Sequence, residues 1–214
     1  MQKPSTRRST PVERLLPFRR LLLLAGLLLP LLGLAPASQA QSGTPTSAVK
    51  TTVDNILAVL RSPTFNFEAD RPTISAEIRR AFDDVAMAQS VLATHWKNAT
   101  PAQQGEFKTL LMQTIESTYI GRLKAYTNET VEFRGEEVKE TRAAVKTVIL
   151  SGTGEIPVNY RLRKRGEQWV VYDVEVENVS MISSFRDTYR GIISKDGLDG
   201  LIAQMKVKLD EMEI

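Results

Sequence analysis

The chain offers few side chains that could do chemistry. It has no cysteine and a single histidine, His95, so thiol catalysis is excluded and a histidine base or metal ligand would lack partners. The SGTG sequence at 151–154 resembles a phosphate-binding loop, but no helix follows it, and its position between two predicted strands indicates a turn. Adjacent acids, as at 83–84 and 136–137, are typical of a solvated surface. We therefore expect no enzyme activity, no metal site and no cofactor.

Aromatic residues are more informative than the ionisable ones. Seven of them recur at helical or strand spacing: Tyr119, Tyr126, Tyr160, Trp169, Tyr172, Phe185 and Tyr189. Aromatic residues at such spacing usually pack in a hydrophobic core. Periodicity cannot distinguish a filled core from a core that surrounds a cavity, so both interpretations stay open at this point.

Apolar periodicity predicts helices on both sides of a strand-rich region. Residues 49–60 repeat at helical spacing after a flexible leader over 41–47. A second helical region covers 78–96 with a bend near Phe82. Thr100, Pro101 and Gln103 form a capping-box signature that begins a long amphipathic helix. Two further helical patterns after residue 180 are separated at Gly197, a typical C-terminal stop.

Between residues 129 and 176 the apolar period becomes two, as in β-strands. Strict alternation in the last strand places Tyr172, Val174 and Val176 on one face, and Asp173 on the other face with Trp169. The fold class is therefore α+β: a four-stranded antiparallel sheet packed against N-terminal and C-terminal helices, with an apolar pocket between them.

The first 40 residues are typical of a cleaved signal peptide. Six basic residues precede a leucine-rich run over 21–34, and Ser38 and Ala40 supply the small residues that signal peptidase reads. A membrane-spanning helix needs about 20 apolar residues, and this run is shorter and contains Pro30. Both features favour a cleaved signal peptide over a membrane anchor. Paired arginines at 7–8 and 19–20 leave Sec and Tat export both open. We predict a signal peptide over 1–40 and one domain over 41–214.

Removal of the signal peptide changes the charge of the protein. The whole chain has 28 basic and 25 acidic residues, and residues 1–40 hold 6 and 1 of them, so the mature chain has 22 and 24 and a net charge of −2. A nucleic-acid-binding protein needs a basic excess to neutralise phosphates. We therefore expect no nucleic acid as a partner.

A resemblance to a known family is carried by three segments of the sequence, 96–107, 168–182 and 189–202. Residues 49–60 and 82–83 also fit the pattern of that family. Through them the chain resembles the MlaC, or toluene-tolerance, family of periplasmic phospholipid-binding components. Two positions depart from the expected pattern: Ala93 and Asn178 stand where we expect glycine. Asparagine tolerates a left-handed backbone better than most residues, so the turn at Asn178 can persist.

The resemblance implies a soluble periplasmic phospholipid carrier, expected to be a monomer. It would shuttle lipid between an outer-membrane lipoprotein complex and an inner-membrane ABC transporter with its lipid-binding substrate domain. Two alternatives stay open: a ligand-free periplasmic interaction module with a filled core, and an enzyme of the cone-like α+β type with an acid in its pocket. The residues expected to contact acyl chains are Tyr119, Leu123, Val148, Val158, Tyr160, Leu162, Tyr172, Val174, Val176, Phe185, Tyr189, Leu201 and Met205.

The headgroup of such a lipid should face solvent. No cluster of arginine or lysine lies at the inward-facing positions of the last two strands, so nothing there would neutralise a buried phosphate. From the strands alone, we expect binding to be nearly indifferent to the headgroup.

Cleavage after Ala40 gives the first testable prediction. N-terminal sequencing of the protein from a periplasmic fraction should begin at Gln41, because Ser38 and Ala40 follow the leucine-rich run at the spacing that signal peptidase requires. A membrane-bound form that retains Met1 would contradict it.

Overall fold

The protein consists of a block of helices, a sheet and a long C-terminal helix. The computed structural model describes residues 43–126, 128–152 and 154–212, so the predicted signal peptide lies outside the described residues. The helices are α1 (Pro45–Leu60), α2 (Phe67–Ala81), α3 (Asp84–Leu92), α4 (Thr94–Asn98), α5 (Pro101–Tyr119) and α6 (Met181–Met212), with a 3₁₀ helix over Ile120–Ala125. The strands are β1 (Thr130–Lys139), β2 (Arg142–Ser151), β3 (Gly154–Arg165), β4 (Gln168–Val176) and β5 (Val179–Ser180). None of the helices in these residues is long and apolar enough to cross a membrane.

The sheet is antiparallel, and its five strands follow the chain in the order β1-β2-β3-β4-β5. The predicted α+β class is confirmed, but the prediction of four strands is wrong. The fifth strand pairs Val179 with Val176 across a two-residue turn. Both turn residues, Glu177 and Asn178, have positive φ (51° and 67°), as a type I′ hairpin requires. A strand of two residues is too short to produce an alternation signal in the sequence.

A β-bulge in β4 changes which residues face the helices. The pairing of β3 with β4 shifts by one residue between Arg161 and Leu162, which leaves Tyr172 as the extra residue. Because side chains alternate along a strand, the extra residue places Val171 and Val174 on the same face. Both pack against the cluster that α1 forms with the sheet. Strict alternation, which placed Val174 on the face opposite Val171, is wrong here, whereas Tyr172 and Val174 do pack against the same cluster of α3, α5 and α6.

The first two helices extend beyond the segments that periodicity predicts. Helix α1 begins at Pro45, inside the predicted flexible leader, with Thr44 as its N-cap. Helix α2 occupies a polar stretch before residue 78 and is capped by the Asn66 side chain. Ile74 is the one fully buried residue of α2, so the apolar pattern there is too weak to identify a helix.

The predicted start of α5 and the predicted break in the last helix are confirmed. The Thr100 hydroxyl accepts a hydrogen bond from the Gln103 amide (3.2 Å), and the Gln103 side chain accepts one from the Thr100 amide (2.9 Å). Gly197 has a φ of 72° and interrupts α6. A glycine adopts this conformation without a steric penalty, so α6 can fold as two helical arms, one before and one after Gly197.

Three separate hydrophobic clusters hold these elements together. Helices α3, α5 and α6 pack around Phe107, Leu111 and Leu201, which have no exposed surface. Helix α1 packs on the sheet through Val49 and its neighbours. A third cluster around Ile74 joins α1, α2 and the 3₁₀ helix.

Ala93, which separates α3 from α4, has a φ of 49° and a ψ of −118°. A residue with a Cβ rarely adopts this conformation, whereas glycine adopts it readily. The sequence resemblance led us to expect glycine at this position, and the backbone supplies the physical reason.

Replacing this residue with glycine should therefore stabilise the protein. The substitution relieves backbone strain of about 1–3 kcal/mol in the folded state. It also makes the unfolded chain more flexible, which costs about 0.4–1 kcal/mol, so the gain is the larger of the two. We expect Ala93→Gly to raise the free energy of unfolding by about 1 kcal/mol in urea denaturation. Ala88→Gly, at a buried α-helical position of α3, is the matched control and should destabilise. A loss of stability in Ala93→Gly would contradict the expectation.

Candidate functional site

A cavity of about 420 Å³ lies where the three hydrophobic clusters meet. Its wall is formed by α1, α2, α5, the 3₁₀ helix, β3, β4, β5 and the start of α6, and by Phe82 between α2 and α3. The lining is mostly apolar, and the volume falls within the range of about 300–1,000 Å³ that is usual for ligand pockets. Val179, which is 61% exposed, and Tyr119, which is 37% exposed, lie where the cavity opens to solvent.

Five of the residues predicted to contact acyl chains line this cavity. They are Tyr119, Leu123, Tyr160, Val174 and Val176. The long helix α5 and the 3₁₀ helix supply the first two, and the paired strands β3 and β4 supply the other three. Their contact with a ligand stays a prediction.

A second, more open cavity of about 770 Å³ lies between α5 and the two arms of α6. Five predicted residues line it: Tyr119, Phe185, Tyr189, Leu201 and Met205. Tyr119 and Ser184 line both cavities, so the two volumes are neighbours. The break at Gly197 makes this second cavity possible because it allows the end of α6 to fold back beside its beginning.

The remaining predicted residues do not line either cavity. Val158 and Leu162 are buried in the sheet (4% and 0% exposed). Val148 lies on the face opposite the buried Thr147, because side chains alternate along β2. Tyr172 is the bulge residue, and the Arg142 guanidinium lies 5.7 Å from the centre of its ring.

Several lining residues were not predicted, and most of them lie on helices. Val49, Thr52, Val53 and Ile56 form the face of α1 that borders the cavity. Their helical spacing is visible in the sequence, but only the tertiary structure shows that this face meets the sheet. The same holds for Ile78 of α2.

Two tyrosine hydroxyls lie in apolar surroundings. Burial raises the pKa of Tyr160 to about 12, and a hydrogen bond to Thr147 opposes that shift. Burial likewise raises the pKa of Tyr189 to about 12, opposed by a hydrogen bond to Thr114. Both tyrosines are therefore neutral at physiological pH and serve as apolar wall residues with a satisfied hydroxyl.

One ion pair belongs to the cavity wall. Glu116 of α5 lines the cavity and is 7% exposed. Its Oε2 accepts a hydrogen bond from the Arg79 guanidinium of α2 (2.8 Å). Its Oε1, which is fully buried, lies 2.7 Å from Arg79 Nε, so the guanidinium contacts both carboxylate oxygens. The Arg79 side chain is 50% exposed, which places the pair at the edge of the cavity.

Comparison with known proteins gives this cavity a context. The sequence model of the family described as "MlaC protein" matches residues 50–207. That range includes every residue that lines the first cavity except Val49. The chain belongs to the MlaC family.

Two curated relatives and one solved structure are similar to this MlaC-family chain. The intermembrane phospholipid transport system binding protein MlaC of Haemophilus influenzae is 26% identical over 54% of the chain, and the match spans 57% of that relative, a little over half its length. The toluene tolerance protein ttg2D of Pseudomonas putida is 23% identical over 80% of the chain and 83% of its own length. The structure of a phospholipid-binding protein from Ralstonia solanacearum, solved in complex with a phospholipid, superposes with a TM-score of 0.74 at 22% identity. The match covers 80% of this chain and 100% of the Ralstonia chain, and it shows that the two share a fold.

In this MlaC-family chain the two most buried aspartates have structural partners. Asp83 (1% exposed) caps α3 through the Ala86 amide (3.0 Å) and pairs with Arg163 Nε (2.7 Å). Asp173 accepts hydrogen bonds from the Ile182 amide (3.1 Å) and the Ser180 hydroxyl (2.6 Å). These hydrogen bonds offset the desolvation of the two carboxylates.

The other groups that the sequence offered for chemistry are dispersed. His95 is exposed on α4, and Ser151 and Gly154 are Cα partners across the turn between β2 and β3. Within the described ranges, no three His, Cys, Asp or Glu residues are grouped so that they could hold a metal ion.

Replacing Asp173 tests its structural role. Asp173→Asn keeps the size of the side chain but replaces the negatively charged carboxylate, whose two oxygens accept hydrogen bonds at the start of α6, with a neutral amide. We expect the free energy of unfolding to fall by about 1–2 kcal/mol, as for the loss of a helix cap. Urea denaturation measures the change. Asp187→Asn, at an exposed position of α6, should change stability by less than about 0.5 kcal/mol. Equal stability of the two variants would contradict the role assigned to Asp173.

Proposed function

We propose that the protein is a periplasmic carrier that holds a phospholipid by its acyl chains and has no catalytic role. The observation that carries this proposal is the 420 Å³ cavity with its mostly apolar lining, placed between the sheet and the helices. A filled core would leave no volume of this size, because protein interiors pack as densely as organic crystals. The Haemophilus relative is named as a phospholipid transport binding protein, and the Ralstonia protein was solved with a phospholipid.

The energetics of lipid transfer explain why such a carrier is needed. Each buried methylene is worth about 0.8 kcal/mol. Two acyl chains of roughly 15 methylenes each would therefore need on the order of 20 kcal/mol to enter water. A lipid that travels inside an apolar cavity avoids this barrier, so a protein with such a cavity can move lipid across an aqueous compartment.

The route of the lipid is part of the proposal. The carrier would exchange lipid with an outer-membrane lipoprotein complex and with an inner-membrane ABC transporter that has its own lipid-binding domain. The name of the Haemophilus relative, an intermembrane transport protein, supports this route. The signal sequence over 1–40 would deliver residues 41–214 to the periplasm.

The alternative that the protein is an enzyme has weaker support than the carrier proposal. Asp83 and Asp173 are engaged in structural hydrogen bonds, and neither lines the cavity. Among the described residues that line it, Glu116 is the one carboxylate, and Arg79 is its partner. The other polar residues of the lining are Thr52, Tyr119, Tyr160 and Ser184, and the described lining holds no second carboxylate and no histidine to act as a base beside them.

A charge inside the cavity tests the proposal. Val174 is half-buried, lines the cavity and belongs to a regular part of β4 beyond the bulge. Val174→Asp should abolish phospholipid binding, because the carboxylate would be desolvated by the acyl chains. The fold should lose less than about 2 kcal/mol, since water can hydrate the carboxylate in the empty cavity. Mass spectrometry of organic extracts and thermal melting measure the two effects.

Two control variants make the result decisive. Leu162→Asp places the same charge in the packed part of the sheet, where the residue has no exposed surface, and should unfold or destabilise the protein by several kcal/mol. Val138→Asp adds the charge at a residue that is 53% exposed and should change neither lipid content nor stability. A Val174→Asp protein with a full lipid load would refute the cavity as the binding site, and one that unfolds like Leu162→Asp would favour a filled core.

A further inference from the structure

The volume of the first cavity matches one acyl chain rather than two. A methylene group and a water molecule occupy similar volumes, roughly 30 Å³ each. A chain of about 15 methylenes therefore needs about 450 Å³, and the two chains of a phospholipid need about 900 Å³. The first cavity has a volume of about 420 Å³. A diacyl lipid whose first chain fills it must place its second chain elsewhere.

The second cavity offers a place for that chain. Its volume of about 770 Å³ exceeds the need of one chain, and Tyr119 and Ser184 line both cavities, so the two volumes meet at these residues. Three of its polar lining residues, Gln204, Lys208 and Glu211, are exposed and border it on the solvent side. The larger apolar side chains of its wall come from both arms of α6: Phe185, Tyr189, Ile192, Leu201, Met205 and Val207.

Exposed apolar side chains gather at the two cavities. Eight large hydrophobic residues of the described chain are exposed, and four of them line a cavity. Val176 and Val179 line the first, Val207, which is 58% exposed, lines the second, and Tyr119 lines both. Exposed apolar surface that is grouped in this way is typical of a binding site. A chain in each cavity would cover these residues.

We propose that one diacyl phospholipid occupies both cavities, with one acyl chain in each. Both chains leave from the same glycerol, so the glycerol lies where the cavities meet, beside Tyr119 and Ser184. The first cavity encloses its chain between the sheet and the helices, whereas the second holds its chain in a more open groove between α5 and the arms of α6. This inference rests on the proposed lipid-carrier function and adds a second chain site to it.

The number of acyl chains carried per protein tests the division. Purified protein is incubated with an excess of deuterated phosphatidylethanolamine that has two palmitoyl chains, or of the lyso form that has one. Size exclusion then removes free lipid, and quantitative mass spectrometry counts every lipid, native or deuterated, on each protein molecule. We expect the wild-type protein to carry one diacyl lipid or two single-chain lipids, because each cavity accepts one chain.

A charge in either cavity should remove one chain site and leave the other. Ile192→Asp acts in the second cavity as Val174→Asp does in the first, since both residues are half-buried in the lining. Each variant should carry one single-chain lipid instead of two, and its affinity for the diacyl lipid should fall at least roughly tenfold because one chain stays in water. Leu198→Asp is the matched control: Leu198 is half-buried against the same cluster as Ile192, lines neither cavity and should leave both lipid counts unchanged.

A second variant protects the test against a failure to fold. Val207→Asp places the charge at an exposed lining residue, so the fold can hydrate it, and it should still weaken binding of the second single-chain lipid by roughly three- to tenfold. Circular dichroism and thermal melting establish that each variant is folded. If Ile192→Asp does not fold, the Val207→Asp result decides.

The outcomes separate the second chain site from the carrier function. A wild-type protein that carries one single-chain lipid, or more than two, would overturn the division of one chain per cavity. Wild-type lipid counts and affinities in folded Ile192→Asp and Val207→Asp would also overturn it, and both results leave the carrier proposal intact. A wild-type protein that carries no phospholipid of any kind would overturn the carrier proposal and the second chain site together.

Discussion

The apolar face of the sheet must be covered, and the way in which the helices cover it determines the rest of the structure. Helix α1 packs on one part of that face through Val49, whereas α3, α5 and α6 form a separate cluster around Phe107. Helix α2 adds little buried surface beyond Ile74. Because the clusters do not merge into one core, about 420 Å³ remains between them, and exposing that apolar lining to water is unfavourable unless a ligand covers it.

The buried carboxylates of the described residues differ in the kind of partner that balances their charge. Asp83 and Asp173 each accept hydrogen bonds from a helix N-terminus and from a second group, so their burial is balanced locally. Glu116 of the cavity wall has both oxygens within 2.8 Å of the Arg79 guanidinium. Asp83 precedes α3 and Asp173 lies in β4 beside the start of α6, whereas Glu116 lies within α5 and depends on a cation from α2.

Backbone conformation connects the local sequence to the shape of the cavity. The type I′ turn at Glu177 and Asn178 folds β5 back onto β4 and brings Val179 to the cavity opening. The break at Gly197 folds the end of α6 beside its beginning and so forms the neighbouring cavity. Each feature depends on one or two residues with positive φ, which are the conformations that glycine and asparagine tolerate.

The sequence by itself determined the α+β class, the start of α5 at Thr100, the break at Gly197 and the likeness to the MlaC family. These properties are encoded locally, in caps, periodicity and short motifs. The tertiary structure decided the fifth strand, the bulge at Tyr172 and the meeting of Arg79 with Glu116. A bulge is a choice of register between two strands, and an ion pair between residues 37 positions apart depends on helix packing, so neither leaves a periodic signal in the chain.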